Sequence, residues 1–273
     1  MAILTLTTDI GLQDYLAGAI KGQLLSIYPN FQLVDISHSI SPFNYSLAAY
    51  ISRNSFWQFP QNSFHLLLVN LFETKPSYFL LAYHNGQYIA CADNGLLQLV
   101  CGGQPQQVIS VLLDEAAPKT TLYCTGRMGD ACRRLAEGKS LSDLGTVPEN
   151  IVEMISMKPS YGDNWMEGQV LHIDHFENVI INITYDEFEE QRKGRRFKLT
   201  FKRDEVIDKI SETYADVPQH HKLALFNSAG YLEIAINKGN AAGLFGLQIF
   251  KNETQSTFQQ SRMYYQKVRI NFE

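Results

Sequence analysis

The apolar pattern of this chain changes period near residue 157, and that change limits what it can fold into. Before it, short strand-like runs alternate with amphipathic stretches about a dozen residues long. "ILTLTT" reads as strand, and residues 15–28 as helix with Leu16, Ile20, Leu24 and Ile27 on one stripe. "FQLVDIS" is strand, residues 46–56 helix and "SFHLLLVNL" strand, while "YFLLAYH" and "QYIACAD" form a hairpin about Asn85-Gly86. "GRMGDACRRLAEG" is helix, stopped by Gly138. Alternation of this kind predicts a layered α/β domain with a mainly parallel sheet over residues 1–157.

Beyond the Pro/Gly/Asp-containing linker at 158–165 the helical period disappears. "EGQVLHIDHFENVIINIT", "RRFKLTF", "KLALFNSAGYLEIAINKG" and "AAGLFGLQIF" read as antiparallel strands, predicting a β-barrel over residues 166–273. Residues 204–214 are expected to be one helix or a long loop.

A net charge of −5 argues against a nucleic-acid or anionic-membrane surface, and "QRKGRR" at 191–196 is expected to be a solvated turn. Cys91, Cys101, Cys124 and Cys132 show no C-x-x-C spacing, and no secretory leader pattern precedes them, so free thiols and a cytoplasmic location are expected. No apolar stretch reaches the roughly 18 residues of a membrane-spanning helix.

Polar residues stand where the strands end. Asp9 closes the first strand in "TTDIG", where an open parallel sheet holds its ligands. A carboxylate there suits a pair of ribose hydroxyls, and equally a helix N-cap. No G-x-G-x-x-G follows, no P-loop occurs, and Gly11 stands where a phosphatase pattern needs a second Asp. Asp35 and His38 in "VDISHSISPFN" suit a metal pair, an acid/base couple or, more simply, a turn. Asp93-Asn94-Gly95 is first a turn, and also a carboxylate and an amide near Asp9. In "HIDHFENVIINI" the knot from Asp174 to Asn178 suits an adenine ring with an amino-acid head group, or a β-bulge. Asn227-Ser228 before Gly230 reads as a hairpin turn.

Five segments, "TTDIGLQDYLAGAIKG", "VDISHSISPFN", "ADNGLL", "IDHFENVIINI" and "NSAGYLEIAINKGNAAGLFGL", together resemble the S-adenosyl-L-methionine (SAM) hydroxide adenosyltransferase family, relatives of the SAM-dependent fluorinases and chlorinases. The resemblance implies an N-terminal α/β domain, a C-terminal β-barrel and a homotrimer. In it SAM lies between one subunit's N-terminal domain and its neighbour's C-terminal domain, with no metal and no further cofactor. By match, Asp9 resembles the carboxylate that clasps the ribose, and Asp174 and Asn178 the pair that holds the amino group. Phe176 resembles the ring that lies against adenine, and Ser228, beside Asn227, the hydroxyl that meets the methionine carboxylate.

The water-activating set departs from the family. Hydrolytic members carry Asp, Arg and His in two segments that read "VNLFETKPSY" and "CTGRMGD" here. Asn70 stands at the Asp position and Thr125 at the His position, the first segment lacks Arg, and Arg127 is retained in the second. Asn70, Thr74 and Thr125 remain as small polar groups for a nucleophile, and Glu73 or Lys75 as substitute bases. The expectation is slow cleavage of SAM at C5′ by water, the alternative an inactive SAM- or adenosine-binding module.

Overall fold

A computed structural model describes residues 2–202, 205–247 and 266–273. The chain divides into two compact units, residues 1–156 and 157–273.

Unit 1 is a layered α/β structure. Its elements are β1 (Ala2–Thr8), α1 (Leu16–Ile27), β2 (Phe31–Ser37), α2 (Tyr45–Phe56), β3 (Phe64–Leu68), β4 (Tyr78–His84), β5 (Gln87–Cys91), α3 (Leu96–Cys101), β6 (Gln107–Leu112) and α4 (Thr121–Ala136). The sheet runs β2-β1-β3-β5-β4-β6. β1, β2, β3 and β5 pair in parallel, while β4 runs against β5 and β6. All five residues of β3 are buried, as a central parallel strand covered on both faces requires. Leu4, Leu6, Leu66 and Leu68 pack in one core cluster with Ile20 and Leu24 of α1 and Met128 of α4. Leu67 and Leu80 pack in a second with Phe56 of α2 and Val100 of α3. Asn85 and Gly86 both take positive φ, 48° and 78°, the twist a two-residue hairpin needs. The fourth helix begins five residues before the apolar pattern suggests, because the Thr120 side chain caps it by accepting from Tyr123 N at 3.1 Å.

Unit 2 comprises β7 (Ser160–Gly162), β8 (Trp165–Ile173), β9 (Val179–Thr184), α5 (Tyr185–Arg192), β10 (Phe197–Lys202), β11 (Glu205–Ile207), β12 (Lys222–Phe226), β13 (Tyr231–Ile236), α6 (Ala241–Leu244) and β14 (Lys267–Phe272). Its strands run β11-β10-β14-β8-β9-β13-β12, antiparallel throughout, with β7 on β8. A bridge between Ile210 and Ala224 draws the two ends together, so the sheet is a nearly closed barrel. Met166, Val170, Ile181, Leu232, Ile234 and Val268 fill it.

Several expectations give way here. The segment expected to be a strand in "AAGLFGLQIF" starts as the short helix α6, because Asn240 Oδ1 accepts from Gly243 N at 2.6 Å and caps it; its last three residues, 248–250, lie outside the described residues. Within 204–214 the structure has neither one helix nor one long loop: β11 pairs with β10, and Asp204 lies outside the described residues. The basic run does contain a turn, at Lys193 and Gly194 with φ of 51° and 75°, and Arg196 is exposed, yet Arg192 and Arg195 are only partly solvated. Arg195 donates to Gln191 O at 2.7 Å and sits 5.0 Å from the Phe272 ring, and Arg192 lies over Phe188 and Phe197.

Candidate functional site

Asp9 leaves β1 where the sheet's carboxyl ends open, and it caps no helix. α1 begins at Leu16, whose N–H is met instead by Asp14 Oδ1 at 2.9 Å. Asp9 Oδ2 accepts from Asn70 N at 2.8 Å, and Gly11, at φ 74°, turns the chain by donating to His38 O at 2.8 Å. Burial raises the Asp9 pKa; the backbone N–H groups of Asn70 and of Asp9 itself oppose the rise.

Asn70 adopts φ 47°, and its side-chain amide donates to the Tyr45 hydroxyl and the Glu73 carboxylate. Tyr45 also donates to Glu73. Burial, then the bond to Glu73, pushes the Tyr45 phenol up to about 12, so it is a neutral donor at pH 7. Tyr45 is the first residue of α2, held there by Asn44, whose side-chain oxygen caps the helix at Leu47 N, 3.0 Å. Asn94 braces the Asn70 loop from below: its amide donates to Val69 O at 3.0 Å and Asn70 O at 3.1 Å.

The other acidic candidates in unit 1 are occupied by the protein. Asp93 accepts from Tyr78 OH at 2.7 Å and Val152 N at 2.8 Å. Asp35 lies 2.5 Å from Lys21 Nζ and 3.1 Å from His38 Nε2, while His38 Nδ1 meets Thr8 Oγ1 at 2.9 Å. Partial burial would raise the Asp35 pKa, but Lys21 and His38 hold it below the ordinary value. Among the described residues no group of three His, Cys, Asp or Glu side chains converges to hold a metal.

Thr125 stands apart. It is wholly buried in α4, and its hydroxyl donates to Gln23 Oε1 at 3.1 Å and Leu122 O at 3.3 Å. Thr74 and Lys75 are exposed.

In unit 2 the knot after β8 is a tight turn built on Asp174. Its Oδ1 accepts from Phe176 N at 2.9 Å and Asn178 N at 2.8 Å, and its Oδ2 from the Asn178 amide at 3.1 Å. The ladder shift in this pair lies earlier, between Val170 and His172, and not at the knot. The turn leaves the Phe176 ring 74% exposed and Asn178 buried. Asn227 organises the β12–β13 hairpin: its Oδ1 accepts from Ala229 N at 3.0 Å and Tyr231 N at 3.1 Å, leaving Ser228 exposed at the tip.

Glu233 and Tyr214 join this cluster and escaped the sequence reading. Glu233 is 2% exposed, and Tyr214 OH donates to its Oε1 at 2.7 Å. The legible signal was a lone carboxylate inside the apolar strand "YLEIAI". Burial raises the Glu233 pKa and the nearby Asp174 charge adds to the rise, against hydrogen bonds from Tyr214, Asn227 and Asn178.

Residues 4–145 match the model of the SAM hydroxide adenosyltransferase N-terminal domain, and residues 168–253 that of the corresponding C-terminal domain. The chain belongs to the SAM hydroxide adenosyltransferase family. Among family relatives, an (R)-S-adenosyl-L-methionine hydrolase of Methanocaldococcus jannaschii is 27% identical over 90% of this chain and 92% of its own. One from Thermus thermophilus is 27% identical over 88% and 94%. A fluorinase of an Actinoplanes species is 25% identical over 90% and 94%. An uncharacterized conserved protein of Thermotoga maritima shares the fold, with a TM-score of 0.80 at 23% identity, covering 98% of this chain and 99% of that one.

Proposed function

We propose that this chain binds SAM and cleaves it at the ribose C5′ with water, slowly, giving adenosine and methionine. The observation that carries the reading is Asp9: a half-buried carboxylate at the end of β1 that caps no helix and is aligned by Asn70 N. In this reading Asp9 clasps the ribose hydroxyls. Asp174 and Asn178 receive the amino group, Phe176 lies against adenine and Ser228 meets the carboxylate. Asn227 acts at one remove, because its side-chain oxygen is committed to the hairpin that presents Ser228.

Attack at C5′ expels a neutral thioether from a sulfonium, so the leaving group needs neither an acid nor a metal. The protein's share is to align the nucleophile and to strip it of bulk water. Near Asn70 the groups fit to align it are Glu73, an exposed proton acceptor, and neutral Tyr45. The reaction is slow because Asn70 replaces a carboxylate and the buried Thr125 hydroxyl is turned to Gln23. A homotrimer whose neighbouring copies complete each site is part of the proposal.

A second reading, a SAM or adenosine binder without turnover, is favoured by one observation. Glu73 and Tyr45 bond the Asn70 amide and each other, so the groups that would hold a water are already partnered. Calorimetric titration with SAM, followed by chromatography for adenosine, separates the two. Binding with adenosine release supports hydrolysis, binding without it the second reading, and absence of binding contradicts both.

A further inference from the structure

Three connections of unit 2 converge on one buried carboxylate. Glu233 lies in β13 between Leu232 and Ile234, two residues of the barrel core. Tyr214, in the 3-10 turn Tyr214–Asp216, donates to it at 2.7 Å. The side chains of Asn178, in the β8–β9 turn, and Asn227, in the β12–β13 hairpin, also hydrogen-bond to it. The orientation of each amide follows from its other bonds. Asn227 uses its Oδ1 on Ala229 N and Tyr231 N, so its NH2 faces Glu233. Asn178 divides its NH2 between Asp174 Oδ2 and Glu233, which leaves its Oδ1 as the acceptor it can offer a ligand. A buried glutamate is costly unless several donors satisfy it, and these three do. Among the described residues no Lys or Arg forms an ion pair with Glu233 or Asp174.

We propose that Glu233 is a positioning residue for an α-amino-acid head group: by holding the Asn178 and Asn227 amides it sets an acceptor for the ammonium and the hairpin that carries Ser228 for the carboxylate. It touches neither group itself. This assignment rests on the reading that the chain binds SAM, and it predicts a selectivity that reading alone does not. Glu233→Gln replaces one acceptor oxygen with an NH2 donor, so the donors held around it must rearrange. The amino-acid half of the ligand then loses its partners while the nucleoside half keeps Asp9.

The test is titration of the full chain with SAM and, separately, with adenosine, which lacks the amino-acid group. Glu233→Gln is expected to weaken SAM at least 10-fold and to leave adenosine within 2-fold. Tyr214→Phe, which removes one donor and keeps the carboxylate, is expected to weaken SAM by a smaller factor, again without affecting adenosine. It also carries the test if Glu233→Gln does not fold. Unchanged SAM affinity in the folded variants, or equal losses for SAM and adenosine, would overturn the assignment. Wild type that fails to bind SAM would overturn the functional reading, and the assignment with it.

Discussion

In the role proposed for Asp9 two demands meet: the ionised carboxylate is the stronger acceptor for ribose hydroxyls, yet burial favours its protonated form. The Asn70 N–H at 2.8 Å offsets part of that penalty and fixes one oxygen, so the pair acts as a prealigned acceptor. Asp9→Ala should weaken SAM binding by about 1.5 to 3 kcal/mol, the range for hydrogen bonds to a charged group, with the thermal midpoint little changed. An unchanged calorimetric affinity would remove Asp9 from the site. Thr125 leads to the opposite expectation. An imidazole at this wholly buried position has no room, so Thr125→His should cost about 1 to 3 kcal/mol by overpacking and restore no hydrolysis. Denaturant midpoints and adenosine assays on the same preparation check both halves. Asp9 was legible in the sequence because a carboxylate at the end of an apolar strand is conspicuous. Glu233 was not, since its meaning comes from Tyr214, Asn178 and Asn227, which only the fold brings to it.

Among the elements, the short turn between β5 and α3 holds the Asn70 loop in place. Gly95 sits at φ 86°, and a Cβ there would lie 2.7 Å from Met154 Cβ. Gly95→Ala therefore strains the backbone and displaces either Met154 or the turn, at about 1 to 3 kcal/mol. Because Asn94 next to it braces Asn70, adenosine production should fall further than the loss of stability alone would make it. A variant that melts as wild type does would contradict this account. β1–β5, β8–β10, β12 and β13 were legible because their apolar runs are punctuated by turns, whereas β6, β7, β11 and β14 were not read as strands. α5 was not legible: only Phe188 of its eight residues is buried, so no apolar stripe marks it, and its Thr184–Glu187 capping box is its one sequence sign. α6 was misread because four small or apolar residues suit a strand as well as a helix, and Asn240 decides between them.

At the scale of the whole molecule, stability should depend on pH through buried imidazoles. His65 is wholly buried between Thr5 Oγ1, 2.7 Å from its Nδ1, and Gln87 Oε1, 3.3 Å from its Nε2, and stacks on Phe56; burial lowers its pKa to about 4. The unfolded chain, with His near its ordinary 6.5, binds the proton first. This contribution is therefore fully present above about pH 6.5 and is lost as the pH falls toward 4. Between pH 7 and 5 it amounts to about 2 kcal/mol, so the stability lost over that interval should be smaller by about that amount in His65→Gln. Equal losses in the two proteins would contradict the assignment. Light scattering tests the proposed trimer: a monomer that binds SAM with full affinity would exclude a site completed by neighbouring copies. No helix among the described residues is long and apolar enough to cross a membrane. The most direct test of the central claim is incubation of the wild-type protein with SAM in oxygen-18-labelled water, followed by mass spectrometry of the nucleoside. Slow formation of adenosine carrying the label at its 5′ oxygen, with methionine in equal amount, is the predicted result. Absence of adenosine while SAM stays bound, or a nucleoside whose 5′ substituent does not come from water, would contradict it.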